Sequence, residues 1–307
     1  SLTSGGGAQP YRSSSHVLVS RERGLASTGA GLSARKGALH RSSLHLVAAC
    51  AVALLLLVPV APAAPKPPNP CLDAAKRAQL NCPDLRMSPP FGLTLDPFVW
   101  PGHVVLRAGN SIDSIGRGPA ELFGIRDGRF SMRGRQRIYR RGGGKIGIAT
   151  GARLIFKAIP GQGSYWKYLY AAKFELFRRD GRGRRANRVR RGPKVSYCLR
   201  DLDHSHGSLP RSPRSFVYPA CNQSLRTRKV TLGTSVGWSD VYPPAYHEQW
   251  IDVTGLRGCF DFVHTADPRN LQGLQRAARH WLSRIVLRAT RPGVLALAAA
   301  TAACTSL

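Results

Sequence analysis

Residues 237–256, GWSDVYPPAYHEQWIDVTGL, hold the densest run of aromatic, acidic and turn residues in the chain. Gln249, Trp250, Ile251, Asp252 and Val253 mix polar side chains with bulky or β-branched ones, which predicts a short strand. Pro243 and Pro244 fit neither a helix interior nor a central strand. Tyr242 is therefore expected where a strand gives way to a rigid loop.

A second stretch, residues 193–199 (PKVSYCL), has the same half-buried strand character. Further candidate strands lie at 103–107, 153–157, 229–232, 250–253, 259–264 and 284–288. Each is short, rich in branched or aromatic residues, and bounded by Gly or Pro. Residues 174–177, the turn pair Asp180-Gly181, and 189–199 predict a hairpin with a ragged second arm. Many short strands between turns predict a mainly β chain, an antiparallel β-sandwich with long irregular loops. Trp250 and Phe260 are its expected core residues. One helix is expected at 270–285, where Leu271, Leu274, Ala278, Trp281 and Leu282 fall near helical spacing.

The two stretches resemble the catalytic domain of the lysyl oxidase family. Gly237, Trp238, Asp240, Tyr242 and the Gln249, Trp250, Ile251, Asp252 run match one family motif at its spacing. Lys194, Ser196, Tyr197 and Cys198 match another. The resemblance extends more loosely over residues 83–288. It implies a β-sandwich and a copper-dependent oxidoreductase that acts on primary amines, such as peptidyl lysine, with oxygen as acceptor. It also implies a lysine tyrosylquinone cofactor formed from Lys194 and Tyr242, with Asp240 as a candidate base. In the family, three alternating His residues on one strand hold the copper, because side chains two apart share a face. The corresponding positions here are Gly163, Tyr165 and Lys167. None is a His, and an ammonium repels a metal ion, so impaired catalysis is expected. His204, His206 and His247 form an alternative imidazole set, set against the simpler reading of solvated loop histidines. Non-catalytic service as a basic extracellular binding or structural module is the second function class.

The chain has 307 residues, and its 46 Lys plus Arg against 16 Asp plus Glu give a net charge of +30. Most of the excess lies beyond residue 64. Such charge favours anionic partners. Residues 178–191, RRDGRGRRANRVRR, are its densest focus, running from Arg178 to Arg191. Guanidinium forks suit sulfate, phosphate and carboxylate; a solvated turn is the plain alternative. No nucleic-acid-binding module surrounds the run, so anionic polymers are its expected partners; protein lysines are the partners that the resemblance implies.

Residues 1–43 are Ser-, Gly- and Arg-rich without apolar periodicity, the composition of a disordered tail. Residues 44–60, LHLVAACAVALLLLVPV, follow Arg35, Lys36 and Arg41 and precede small residues. Residues 44–64 therefore fit a signal peptide, and secretion is expected; without cleavage, 44–60 would anchor the chain in a membrane. Residues 65–82 are expected to be a Pro-rich linker with a short Cys-clipped segment, 83–289 the sandwich domain, and 290–307 a tail. Export predicts paired cysteines. Cys71 with Cys82 and Cys198 with Cys221 are the expected pairs, although spacing alone does not fix connectivity. Cys259 is left over.

Overall fold

The computed structural model describes residues 69–269 and the strands at 280–291 and 294–299. In chain order the first elements are α1 (Ala74–Ala78), β1 (Leu80–Asn81), β2 (Leu85–Met87), β3 (Phe91–Asp96), β4 (Val105–Ser114) and β5 (Ala120–Gly128). Next come β6 (Ser131–Arg140), β7 (Lys145–Ile159), β8 (Gly163–Leu169), β9 (Ala172–Arg179), β10 (Arg185–Arg191) and β11 (Ser196–Tyr197). The last are β12 (Lys229–Thr234), β13 (Ser239–Tyr242), β14 (Trp250–Asp252), β15 (Gly258–Ala266), β16 (His280–Arg291) and β17 (Val294–Ala299).

Among the described residues these strands form three antiparallel sheets. A seven-stranded sheet runs β11-β8-β7-β6-β5-β12, with β1 added on β6. A second runs β10-β9-β15-β16-β17, and a third gathers β13, β14, β2 and β3 around β4. Leu122, Leu154, Trp166, Phe174, Phe262, Leu106 and Ile251 come from all three and pack into one buried cluster. The fold is mainly β and sandwich-like.

Local pattern explains the layers. Along β6, Met132, Gly134, Gln136 and Ile138 turn inward while Arg133 and Arg135 turn to solvent, the period of two that places one face of a sheet in a core. In β4 only Arg107 escapes full burial, so this strand is covered on both faces.

Ahead of Pro83, the segment joins the fold instead of linking to it. Asp73 caps α1 by accepting from the Lys76 N–H at 3.1 Å, the Cys71–Cys82 disulfide clips it, and Leu80 pairs with Arg140. The 198–221 disulfide also forms, and Cys259 is itself disulfide-bonded.

Several expectations need correction. In residues 193–199 only Ser196–Tyr197 is strand. Trp250 lies on a strand but is half-buried, and the fully buried neighbours are Ile251 and Val253; Phe260 is fully buried. The helix expected at 270–285 is strand from His280, paired along β15 from Thr265 to Gly258; residues 270–279 lie outside the described residues. Within the expected tail, Val294–Ala299 adds a strand to β16. The expected segments 1–43 and 44–64 lie outside the described residues.

Candidate functional site

Three segments converge on Lys194. β11 lays residues 193–199 against β8, with Tyr197 opposite Tyr168. The approach is tight at Gly192, where a Cβ would stand 2.8 Å from the Trp250 carbonyl oxygen. β13 ends at Tyr242, and Pro243-Pro244 turn the chain into the loop that carries Tyr246, His247 and Glu248. Gly237 begins this arm at φ +79°, with the His206 carbonyl 2.6 Å from where a Cβ would sit, so a side chain is excluded by both backbone and space. Buried Gln249 closes the arm: its amide donates to the Ala108 carbonyl at 3.0 Å and to the Asn110 side chain.

The Lys194 Nζ lies 4.2 Å from the ring centre of Tyr246, 4.5 Å from Tyr242 and 4.6 Å from Tyr197. Tyr242 meets Tyr197 and Tyr246 edge-on at 5.0 and 4.9 Å. The Tyr242 hydroxyl accepts from the Cys198 N–H at 3.0 Å and donates to the Cys198 carbonyl at 3.2 Å. Lys167 donates from Nζ to the Tyr246 hydroxyl at 3.2 Å. Lys194, Lys167, Asp240 and Tyr242 are all buried. Among the described residues neither Asp240 carboxyl oxygen has a partner in good hydrogen-bond geometry.

Burial dominates the electrostatics. It drives the Lys194 ammonium well below its ordinary value, and neighbouring Lys167 pushes the same way against the pull of Asp240. Lys167 falls to about 8 through burial, with Asp240 opposing. Burial raises the Asp240 carboxyl well above the usual range, against Arg200 and the two lysines. Tyr242 is raised by burial and by Asp240, which keeps its phenol protonated; Tyr246 rises to about 12. The arrangement holds two amines, a carboxyl group and three phenols in a dry space that disfavours their charged forms.

The positions expected for copper ligands lie on β8. Gly163 has no side chain, the Tyr165 hydroxyl donates to the Gln162 carbonyl, and Lys167 carries the ammonium bound to Tyr246. This donor set does not fit copper, which takes neutral imidazole nitrogens. The alternative histidines are held by other partners. His204 Nε2 hydrogen-bonds Ser212 at 2.7 Å and its ring stacks on Trp238 at 4.5 Å. His206 Nε2 sits 3.3 Å from Asp113, and His247 Nε2 sits 3.5 Å from Glu248. Among the described residues no group of three or more His, Cys, Asp or Glu is arranged to hold a metal ion.

Beside the site runs a groove of about 510 Å³ lined by Arg107, Gln162, Pro193, His247, Glu248 and Trp250, among others. Exposed Trp100 stands nearby, stacked on His103 at 3.6 Å and 5.7 Å from Trp250. Four contributors escaped sequence reasoning: Tyr246, Glu248, Lys157 and Arg200. Glu248 adopts φ +63° and pairs with Lys157. Tyr246 carried a usable signal, standing four residues beyond Tyr242 in the same rigid loop.

No protein-family model matches the chain, and no curated protein matches it as a relative.

Proposed function

We propose that this chain is a secreted, lysyl-oxidase-like protein that retains the paired quinone precursors but is impaired as a copper amine oxidase. The adjacency of Lys194 and Tyr242, with 4.5 Å between Nζ and the ring centre, supports the kinship. The observation that carries the impairment is the buried Lys167 ammonium at a ligand position, engaged with Tyr246. A protonated lysine offers no lone pair to a metal and repels it. The disulfides are compatible with an oxidising compartment, and the apolar run at 44–60 supplies the export signal.

Metal analysis after exposure to excess copper and desalting tests this reading. The expected result is substoichiometric copper and no amine-dependent peroxide release. One copper retained per chain, with peroxide formed from a primary amine, overturns it.

A second reading is carried by the β9–β10 hairpin. β10 is an edge strand, and Arg185, Arg188, Arg190 and Arg191 are exposed along it. Arg179 and Arg185 are drawn to Asp261, and Arg188 to Glu175. The guanidinium groups of Arg182, Arg190 and Arg191 have no carboxylate partner among the described residues, although the Arg182 backbone N–H donates to Asp180 at 3.0 Å. These cations suit an anionic extracellular polymer. Binding to heparin resin that weakens with salt, and weakens further when Arg182, Arg190 and Arg191 become Gln, is the expected outcome. Unchanged retention contradicts it.

A further inference from the structure

The outward face of the seven-stranded sheet carries a basic surface separate from the 178–191 hairpin. Arg133, Arg135 and Arg137 occupy alternate positions of β6, so all three leave the same face about 7 Å apart. Directly opposed residues of an antiparallel pair share a face, so the neighbouring strands extend the pattern. One cross-strand row reads Lys229, Ile125, Arg133 and Arg153; the next reads Thr231, Phe123, Arg135 and Ala149.

Two carboxylates share this face, and both are occupied. Glu121 is buried, accepting from Arg137 at 2.9 Å and from the hydroxyls of Tyr139 and Tyr218 at 2.7 Å each. Asp127 accepts both forks of Arg153, at 2.6 and 3.1 Å, and leaves Arg133 at 3.6 Å. Arg133 is 79% exposed at its side chain. Among the described residues the Arg135 guanidinium donates only to the Gly147 carbonyl, at 3.0 Å, and neither it nor Lys229 has a carboxylate partner. Apolar surface lies between these cations: Phe123 beneath the Arg137 guanidinium at 3.7 Å, and exposed Ile125.

We propose that this face, organised along β6, binds a sulfated polysaccharide, with Arg133, Arg135 and Lys229 as the sulfate contacts and exposed Ile125 beneath a sugar ring. Regular spacing matches a repeating linear polyanion, and guanidinium forks match sulfate oxygens. The disulfides are compatible with an oxidising, extracellular setting, where polysaccharide is the commoner polyanion. The site stands on its own residues and does not depend on the hairpin or on the state of Lys194.

Heparin binding by the full chain, measured as affinity against NaCl concentration, tests the proposal with three charge-matched variants. Arg133→Gln/Arg135→Gln/Lys229→Gln alters the face, Arg182→Gln/Arg190→Gln/Arg191→Gln the hairpin, and Arg211→Gln/Arg214→Gln/Arg257→Gln neither. All nine side chains are exposed, and equal thermal melting confirms that each variant folds. The face variant is expected to bind roughly tenfold more weakly near 0.15 M salt, with a shallower salt slope. The control should change far less. Equal losses in face variant and control would reduce the effect to net charge and overturn the site. A loss confined to the hairpin variant also overturns it, while sustaining the hairpin reading; a loss confined to the face variant does the reverse. Single-stranded RNA bound more tightly than heparin, and released by the face substitutions, would overturn the polysaccharide assignment.

Discussion

The Tyr242 hydroxyl closes a two-bond ring with the backbone of Cys198, accepting from its N–H and donating to its carbonyl. Residues 44 positions apart in sequence are thereby pinned together, and Cys198 is tied in turn to Cys221. The bond fixes the Tyr242 ring against Lys194 whatever chemistry the pair performs.

Tyr242→Phe keeps the ring and strands both Cys198 groups without a partner. Each buried group left unsatisfied costs about 1–3 kcal/mol, so urea unfolding should show a loss in that range at least. A loss below about 0.5 kcal/mol would mean the ring is held by packing alone.

Lys167 should make stability rise with pH in the alkaline range. Its folded value, about 8, lies below the ordinary 10.5. Between these values the unfolded chain binds more protons, and stability grows as pH rises. From pH 8 to 10 the gain is on the order of 2 kcal/mol. Lys167→Met should reduce this slope and leave the share contributed by Lys194, which burial also lowers. Above pH 10 the buried tyrosines oppose the trend, because their raised values leave the unfolded chain to ionise first. An unchanged slope in the variant would place the charge elsewhere.

His264 should make the protein sensitive to acid. It is fully buried between Phe174, stacked at 4.1 Å, and Phe262, edge-on at 4.5 Å. Burial lowers it to about 3 from 6.5, and among the described residues neither ring nitrogen has a hydrogen-bond partner. The unfolded chain therefore takes up a proton that the folded chain refuses, and stability falls as pH drops below 6.5. At pH 4.5 the loss is about 2–3 kcal/mol. His264→Phe should remove most of that loss in unfolding curves at pH 4.5 and 7; an equal loss in both proteins would exclude the residue.

Phe260 and Trp250 should separate in a truncation test. Phe260→Ala in the fully buried core should cost about 3–5 kcal/mol. Trp250→Ala should cost less, since the ring is half exposed and leans on Trp100. Equal costs would contradict the burial difference.

Much of the sheet was legible because β-branched runs bounded by Gly and Pro, such as those at 153–157 and 229–232, have few other uses. The end of β13 at Tyr242 was legible from Pro243 and Pro244. The strand beginning at His280 was misread because Trp281 and Leu282 complete a helical spacing with Leu271, Leu274 and Ala278. The backbone pairing of β16 with β15 decides otherwise. The site was half legible. Lys194 and Tyr242 lie in the two stretches that stand out in the sequence, but nothing in a sequence marks Lys167 as buried, because lysines are ordinarily solvated. Glu248 and Lys157 meet only through the fold.

The most direct test of the central claim is peptide mass spectrometry of the full chain after aerobic incubation with copper, alongside phenylhydrazine labelling. Because the residues on β8 do not fit the metal, Lys194 and Tyr242 should appear in separate, unmodified tryptic peptides, and the carbonyl probe should leave the protein unlabelled. A single cross-linked peptide containing both residues, labelled by phenylhydrazine and accompanied by amine-dependent peroxide release, would contradict the account.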